Sequence, residues 1–352
     1  MPLAIGSYEN LSALADEAGL LNLAWTQDEQ PLLKADLRGL VAAELAEEAA
    51  GGLPHVGDYL VKDPYGEGLL GETVARYFGR PGWNASVTCG AGVGPLLHGL
   101  AGLARNGTVH VVTDVYPDFP HWVRSVGGRC LPQGEGGPPS VLLLERPALS
   151  GGGFDDLEAV RELCARAERA GAVVLVDESN ANYCPPEYSA ANLAPAVAGL
   201  VVVRGLSKAY GLGGVRLGYA VASAALTARV RAVVPPLQPS SLSLRLGRRV
   251  LELGDVTGPL RARIADVRPR VRALLSASGL ASATEAASHL PYVLVPEDPE
   301  GAVAHLRERG VQAKAHPVWS SRSGEPTRTA RVSVPLDPSR TAELERRLSI
   351  PE

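Results

Sequence analysis

Four short runs of mostly valine and leucine in the central third of the chain, Val109 to Thr113, Val141 to Leu144, Val173 to Val176 and Leu200 to Val203, limit the possible folds more than any other feature. Each is apolar without alternation, the pattern of a strand covered on both faces. Between the second and third runs, Asp155 to Ala170 sets apolar residues at helical spacing among Ala, Glu and Arg. Strand–helix alternation of this kind closes into a mostly parallel sheet with helices on its faces, so the expected class is α/β. From about Ser241 the character changes. A long Arg/Leu/Val helical region runs to about Ser278, followed by His289 to Val295, Gly301 to Arg309 and Thr329 to Val334, which together predict a smaller α+β domain. At 352 residues the chain exceeds the usual size of one core, in keeping with a large domain plus a smaller one.

Composition narrows the function classes. With 45% hydrophobic and 20% charged residues and a net charge of -4, the chain offers no basic field for nucleic acid or an anionic membrane. Small anionic ligands would need local arginines instead. Cys89, Cys130, Cys164 and Cys184 are scattered without paired spacing, so no metal site and no disulfide framework is expected. The first residues lack a basic and apolar leader pattern, and no run approaches 18 apolar residues, which leads to an expected cytoplasmic protein.

The chemistry is concentrated just after the fourth run. Gly205-Leu206-Ser207-Lys208-Ala209-Tyr210-Gly211 places one lysine in a small-residue turn at a strand end, and Arg216 follows eight positions later. A strand-end amine with a hydroxyl beside it and a guanidinium close behind suits an aldehyde cofactor that also carries a phosphate. The aldehyde would condense with Lys208, while Ser207 and Arg216 would hold the phosphate. Upstream, Ser86 to Ala104 reads as strand, glycine turn and helix, and aims the N–H groups of Gly90, Ala91 and Gly92 at an anion. The dinucleotide pattern G-x-G-x-x-G fails there because Pro95 takes the last glycine position. Asp177 ends the third run, where open α/β sheets place ligand-binding groups.

The lysine segment resembles that of pyridoxal-phosphate enzymes of fold type I, especially the histidinol-phosphate aminotransferase-like branch of the class I and II aminotransferases. The resemblance spans about Leu23 to Val334. It implies pyridoxal 5'-phosphate as cofactor and a homodimer. It also implies an N-terminal arm at 1–44 packed with the smaller domain at 241–352, around a large domain at 45–240. Lys208 and Asp177 are the catalytic pair it implies, with Asp177 holding the pyridine nitrogen protonated so that the ring acts as an electron sink. Gly90, Ala91 and Gly92 correspond to the family's first phosphate-binding turn. Tyr116 would stack on the ring, with Phe119 and Trp122 as alternatives. Arg331, in Thr329-Ala330-Arg331-Val332, matches the arginine of the R-I-x-x-G strand that forks the substrate's anion, and Arg328 and Arg322 compete with it. Trp25 to Pro31 resembles the N-E-N-P segment at the substrate entrance. Tyr59 and Tyr65 both flank the position from which the family sends a tyrosine to the partner's phosphate.

Two positions depart from the pattern. The N-P-x-N-P-T-G turn corresponds to Arg146 to Gly152, so Leu149 stands where an asparagine donates to the cofactor's phenolic oxygen. Asn180 stands where the family has a tyrosine donating to the same oxygen, and it is the cofactor-binding donor expected to remain there. The expected activity is an aminotransferase acting on a small amino acid or amine. The rivals are a decarboxylase, lyase, cyclase or oxidase using the same cofactor, which the altered donors favour, and a regulator that has borrowed the fold.

Overall fold

The computed structural model describes residues 17–83, 85–149, 156–281 and 289–349; Ser150 to Gly152 of the aligned turn and the first sixteen residues of the arm lie outside the described residues. Strand β1 (Leu21–Asn22) and helices α1 (Leu37–Ala50) and α2 (Glu67–Tyr77) lead into a seven-stranded sheet. Its strands are β2 (Ala85–Gly90), β3 (Thr108–Val111), β4 (Arg129–Pro132), β5 (Val141–Glu145), β6 (Val173–Asp177), β7 (Leu200–Gly205) and β8 (Gly218–Ser223). Helices α3 (Val93–Leu100), α4 (Phe119–Ser125) and α5 (Leu157–Arg169) connect them. The order is β2-β8-β7-β6-β5-β3-β4, with β8 antiparallel to both neighbours and every other pair parallel. The four predicted strands are β3, β5, β6 and β7. They lie side by side because each, being apolar on both faces, is stable only between helical layers.

The segment from α6 (Thr227–Val233) onward contains α7 (Ser241–Glu252), α8 (Gly258–Ala277), β9 (Tyr292–Val295), α9 (Pro299–Glu308), β10 (Val311–Gln312), β11 (Lys314–Trp319), β12 (Pro326–Ser333) and α10 (Pro338–Leu348). The single long helical region expected over 241–278 is thus two helices. Gly254 at φ 68° ends the first, and the proline in the first turn of α8 starts the second in a new direction. Their apolar residues then serve different cores. Leu244, Val250 and Leu251 of α7 pack with Leu70 and Val74 of α2 beneath the large sheet. Leu260, Ile264, Val267 and Val271 of α8 join Leu21 and Leu23 with β9 and β12 in a second core. Full burial of one such side chain stabilises by about 1.5–3 kcal/mol, enough for four or five positions to fix where a helix docks. In the second unit β11, β12 and β9 form an antiparallel sheet, and β10 pairs in parallel with β1.

Among the described residues no helix is long and apolar enough to cross a membrane, and no group of His, Cys, Asp and Glu could hold a metal ion. All four cysteines are buried thiols.

Candidate active site

Parallel register brings the strand-end residues together. Glu145 at the end of β5 is opposite Asp177 at the end of β6, and Asp177 is opposite Val203 in β7, immediately before the lysine turn. Because β8 runs antiparallel to β7, the chain needs no helical crossover there, and residues 206–217 form the connection itself. The turn is held from below. Asn182 donates from Nδ2 to the carbonyls of Gly205 (2.7 Å) and Lys208 (3.3 Å), and the Tyr210 amide donates to the Lys208 carbonyl at 2.8 Å. Ala209, fully buried, is thereby kept at φ 64°, a conformation that costs a non-glycine residue about 1–2 kcal/mol.

Lys208 is open to water yet densely surrounded by protein, as at the floor of a cleft. Loss of hydration, then the positive charge of Arg331, lower its amine to about 8, against the opposing pull of Glu29 and Glu145. Asp177 is buried and accepts from the Ser179 amide at 2.8 Å, and no cation among the described residues pairs with it. Burial pushes its carboxyl up to about 6.

The proposed phosphate residues also converge. Arg216 donates to the Ala91 carbonyl at 3.0 Å and to the Gly213 carbonyl at 3.1 Å. Gly92 has φ 107°, and a Cβ there would meet Nη2 of Arg216 at 2.7 Å. A Cβ on Gly218 would strike the Gly92–Val93 backbone at 2.6–2.8 Å, so that glycine lets the start of α3 press against the β7–β8 edge. Ser207 lies next to Gly213 in the same connection. Gln238, absent from the sequence reading, accepts from the Ala91 amide at 3.4 Å and is near Gly90.

Arg331 points toward the same floor from β12. Its guanidinium lies 4.1 Å from the centre of the Tyr292 ring, no carboxylate among the described residues pairs with it, and its charge acts on Lys208 and Tyr183. Arg328 instead pairs with Glu300 at the surface, and Arg322 is exposed in a turn. Lys314 lies directly across the strand pair from Arg331, and burial and then Arg331 push its amine down to about 7; the same two causes hold the nearby His316 imidazole well below its ordinary value, so it stays neutral. Tyr116 is half-buried, donates to Asp118 at 2.6 Å and contacts Trp122 at 5.8 Å. Asn180 donates to Oε1 of Glu145 at 3.4 Å, while Leu149 is buried in an apolar cluster with Tyr183 and Ala209.

Besides Gln238, Lys314 and His316, three further site groups escaped the sequence reading. Glu145 needed only the strand-end argument applied to Asp177, extended by one residue past Leu144. Tyr183 donates to Glu29 at 2.8 Å across 154 positions, a pairing with no local signature. Asn182 acts through its amide on a loop 23 to 26 residues away.

A mostly parallel sheet with a lysine turn at its strand ends, an acid beside it and an arginine facing it from a second unit defines the architecture of fold type I transferases. The aminotransferase class I and II family profile matches residues 133–347, and the chain belongs to that family. It is 28% identical over 175 residues to the histidinol-phosphate aminotransferase of Deinococcus radiodurans, covering 49% of this chain and 47% of that protein. The chain thus spans about half the length of the curated relatives it matches. The solved N-succinyldiaminopimelate aminotransferase of Mycobacterium tuberculosis shares the fold with a TM-score of 0.71 at 21% identity, covering 99% of this chain and 97% of that one. A histidinol-phosphate aminotransferase from Sinorhizobium meliloti, solved in complex with pyridoxal-5'-phosphate, gives a TM-score of 0.66 at 20% identity, covering 91% and 88%.

Proposed function

We propose that the chain is a pyridoxal-phosphate-dependent aminotransferase acting on a small amino acid or amine. The observation that carries this reading is the alignment of three groups: an accessible amine on Lys208, the buried unpaired acid Asp177, and Arg331 facing them from β12. The residues fit the cofactor. Among the described residues Asp177 has no cation to neutralise it, as expected of an acid reserved for a protonated ring nitrogen. The cradle formed by Gly92 and Arg216 leaves no room for a Cβ. When bound, the cofactor supplies a carbonyl for amine exchange and a ring that withdraws electrons from the substrate's Cα.

The chain's own residues supply the rest. Lys208, with an amine near neutrality, can hold or give up a proton at Nζ, as a group that moves a Cα proton must. Ser207, Arg216 and the turn at Gly90 to Gly92 would anchor the phosphate, and Tyr116 would contact the ring. Arg331 would orient the substrate's carboxylate with two parallel hydrogen bonds. Arg331→Ala is expected to weaken binding of an anionic substrate about 10- to 150-fold while cofactor affinity changes little. Titration of loaded protein with that substrate reads both, and an unchanged substrate affinity would remove Arg331 from the site. Gly92→Ala should act oppositely: the added Cβ displaces Arg216, so cofactor affinity falls by more than tenfold, for a loss of at least about 1.4 kcal/mol. A fluorescence titration of unloaded protein with pyridoxal phosphate checks this.

A homodimer fits the surface. Leu53, Val56, Tyr59 and Val61 are exposed within nine residues, whereas the Tyr65 hydroxyl is engaged in its own chain by the Arg231 carbonyl at 3.1 Å. Tyr59 is therefore the better candidate to reach a partner's site. We keep the division into an arm at 1–44, a large domain and a smaller one, but propose a boundary after α7, whose apolar face belongs to the large core. A cytoplasmic location is consistent with four buried thiols. The direct test incubates cofactor-loaded protein with a panel of amino acids and asks by mass spectrometry what forms. Accumulation of the cofactor's amine supports transamination, and a decarboxylated or eliminated product overturns it.

A further inference from the structure

Glu145 has no part in the reading above, yet it is among the most constrained side chains of the site. It is 3% exposed, and its backbone is pinned by Thr113, whose hydroxyl accepts from the Glu145 amide at 2.8 Å and donates to its carbonyl at 3.2 Å. Oε1 accepts from Asn180, and the Tyr116 amide also reaches the carboxyl. Oε2 is buried with no partner among the described residues. The hydroxyl of Tyr292, which feels the charge of Glu145, is likewise buried and has no hydrogen-bond partner among the described residues. Two buried polar atoms left without partners, near enough for one to feel the other's charge, mark a spot that a polar ligand completes.

The surrounding charges set the state of this carboxyl. Asp177 is its direct neighbour across the strand pair, and Asp114, held by the amide and hydroxyl of Ser321, lies beyond the end of β3. Lys208 is the facing cation, and Arg331 is engaged over the Tyr292 ring. Two buried carboxyls side by side do not both ionise, and Asp177 is the one opposite which a protonated ring nitrogen would sit. We propose that Glu145 is the neutral acid of the pair and that its Oε2 donates a hydrogen bond to the phenolic oxygen of the bound cofactor. This rests on the pyridoxal-phosphate reading and explains the two departures from the family pattern. Leu149 offers no donor, and one N–H of the Asn180 amide is directed at Glu145.

The test is a visible-absorbance pH titration of the loaded protein. A donor to the phenolic oxygen stabilises its negative charge most when the neighbouring nitrogen has lost its proton, so it lowers the titration midpoint. Glu145→Leu should raise the midpoint by about one unit, whereas Glu145→Gln, nearly isosteric and still a donor, should leave it within about 0.3 unit. Infrared spectra at pH 7 should show a protonated-carboxyl band in the wild type that Glu145→Gln lacks. An ionised Glu145 would instead favour the protonated form, so a fall of about one unit in Glu145→Gln overturns the proposal. An unmoved midpoint in a folded Glu145→Leu overturns it too, as does a shift found only in Tyr292→Phe. No visible band at all in the wild type would overturn the cofactor reading itself, whereas the other adverse outcomes leave that reading standing.

Discussion

Lys208→Ala is expected to abolish the visible band of the bound cofactor and its reducible attachment to the chain, and to lower turnover by on the order of 10²- to 10⁴-fold or more, with the thermal midpoint unchanged. The magnitude follows from losing both the covalent anchor and the group that carries the Cα proton. The unchanged stability follows from packing. Lys208 is open to water, its truncation leaves no cavity in a core, and the amine is held near a second positive charge that lowers its affinity for a proton. Attachment can be located by borohydride reduction and peptide mapping. Lys314 is the lysine to watch, because it faces the same region and burial with Arg331 brings its amine to about 7. A reduced adduct on Lys314 in the wild type would remove Lys208 from the centre of the mechanism.

What was legible in the sequence was what the chain encodes over short distances. The strands β3, β5, β6 and β7 stood out because burial on both faces requires uninterrupted apolar runs. Lys208, Asp177 and the turn at Gly92 followed because strand ends and glycine turns can be located from those runs alone. What escaped depends on contacts between distant segments. The hydrogen bond from Tyr183 to Glu29 exists only after the arm has docked with the second core. The pairing of β11 with β12 brings Lys314 and the neutral His316 beside Arg331, and nothing local in Lys314 to Trp319 reveals that grouping. The break between α7 and α8 was encoded locally by Gly254 and Pro259, but the continuing Arg/Leu pattern on either side concealed it.

Glu178, the neighbour of Asp177, is the anion of a buried network. Its carboxylate accepts from Arg204 at 2.7 Å, Arg146 at 3.4 Å, the Ser189 hydroxyl at 2.5 Å and the Ala190 amide at 2.6 Å. Arg146 and Arg204 are each 1% exposed, so removing the anion takes away the carboxylate that both guanidinium groups share where water cannot reach them. Glu178→Ala should therefore cost about 3–5 kcal/mol of stability, read as a lowered urea midpoint. Raising the salt concentration should not restore it, because buried pairs are poorly screened, whereas the same comparison at the exposed Arg76–Glu72 pair should show under about 1 kcal/mol at any salt. The effect should extend to the site. Arg204 donates to Oδ1 of Asn182 at 2.7 Å, and Asn182 in turn holds the Gly205 and Lys208 carbonyls, so Glu178→Gln, which keeps the shape but loses the charge, should loosen the lysine turn. Faster amide exchange at Lys208 to Tyr210 in Glu178→Gln is the expected sign. A loss below about 1 kcal/mol in Glu178→Ala would show that the two arginines find other partners, and that the network does not support the turn.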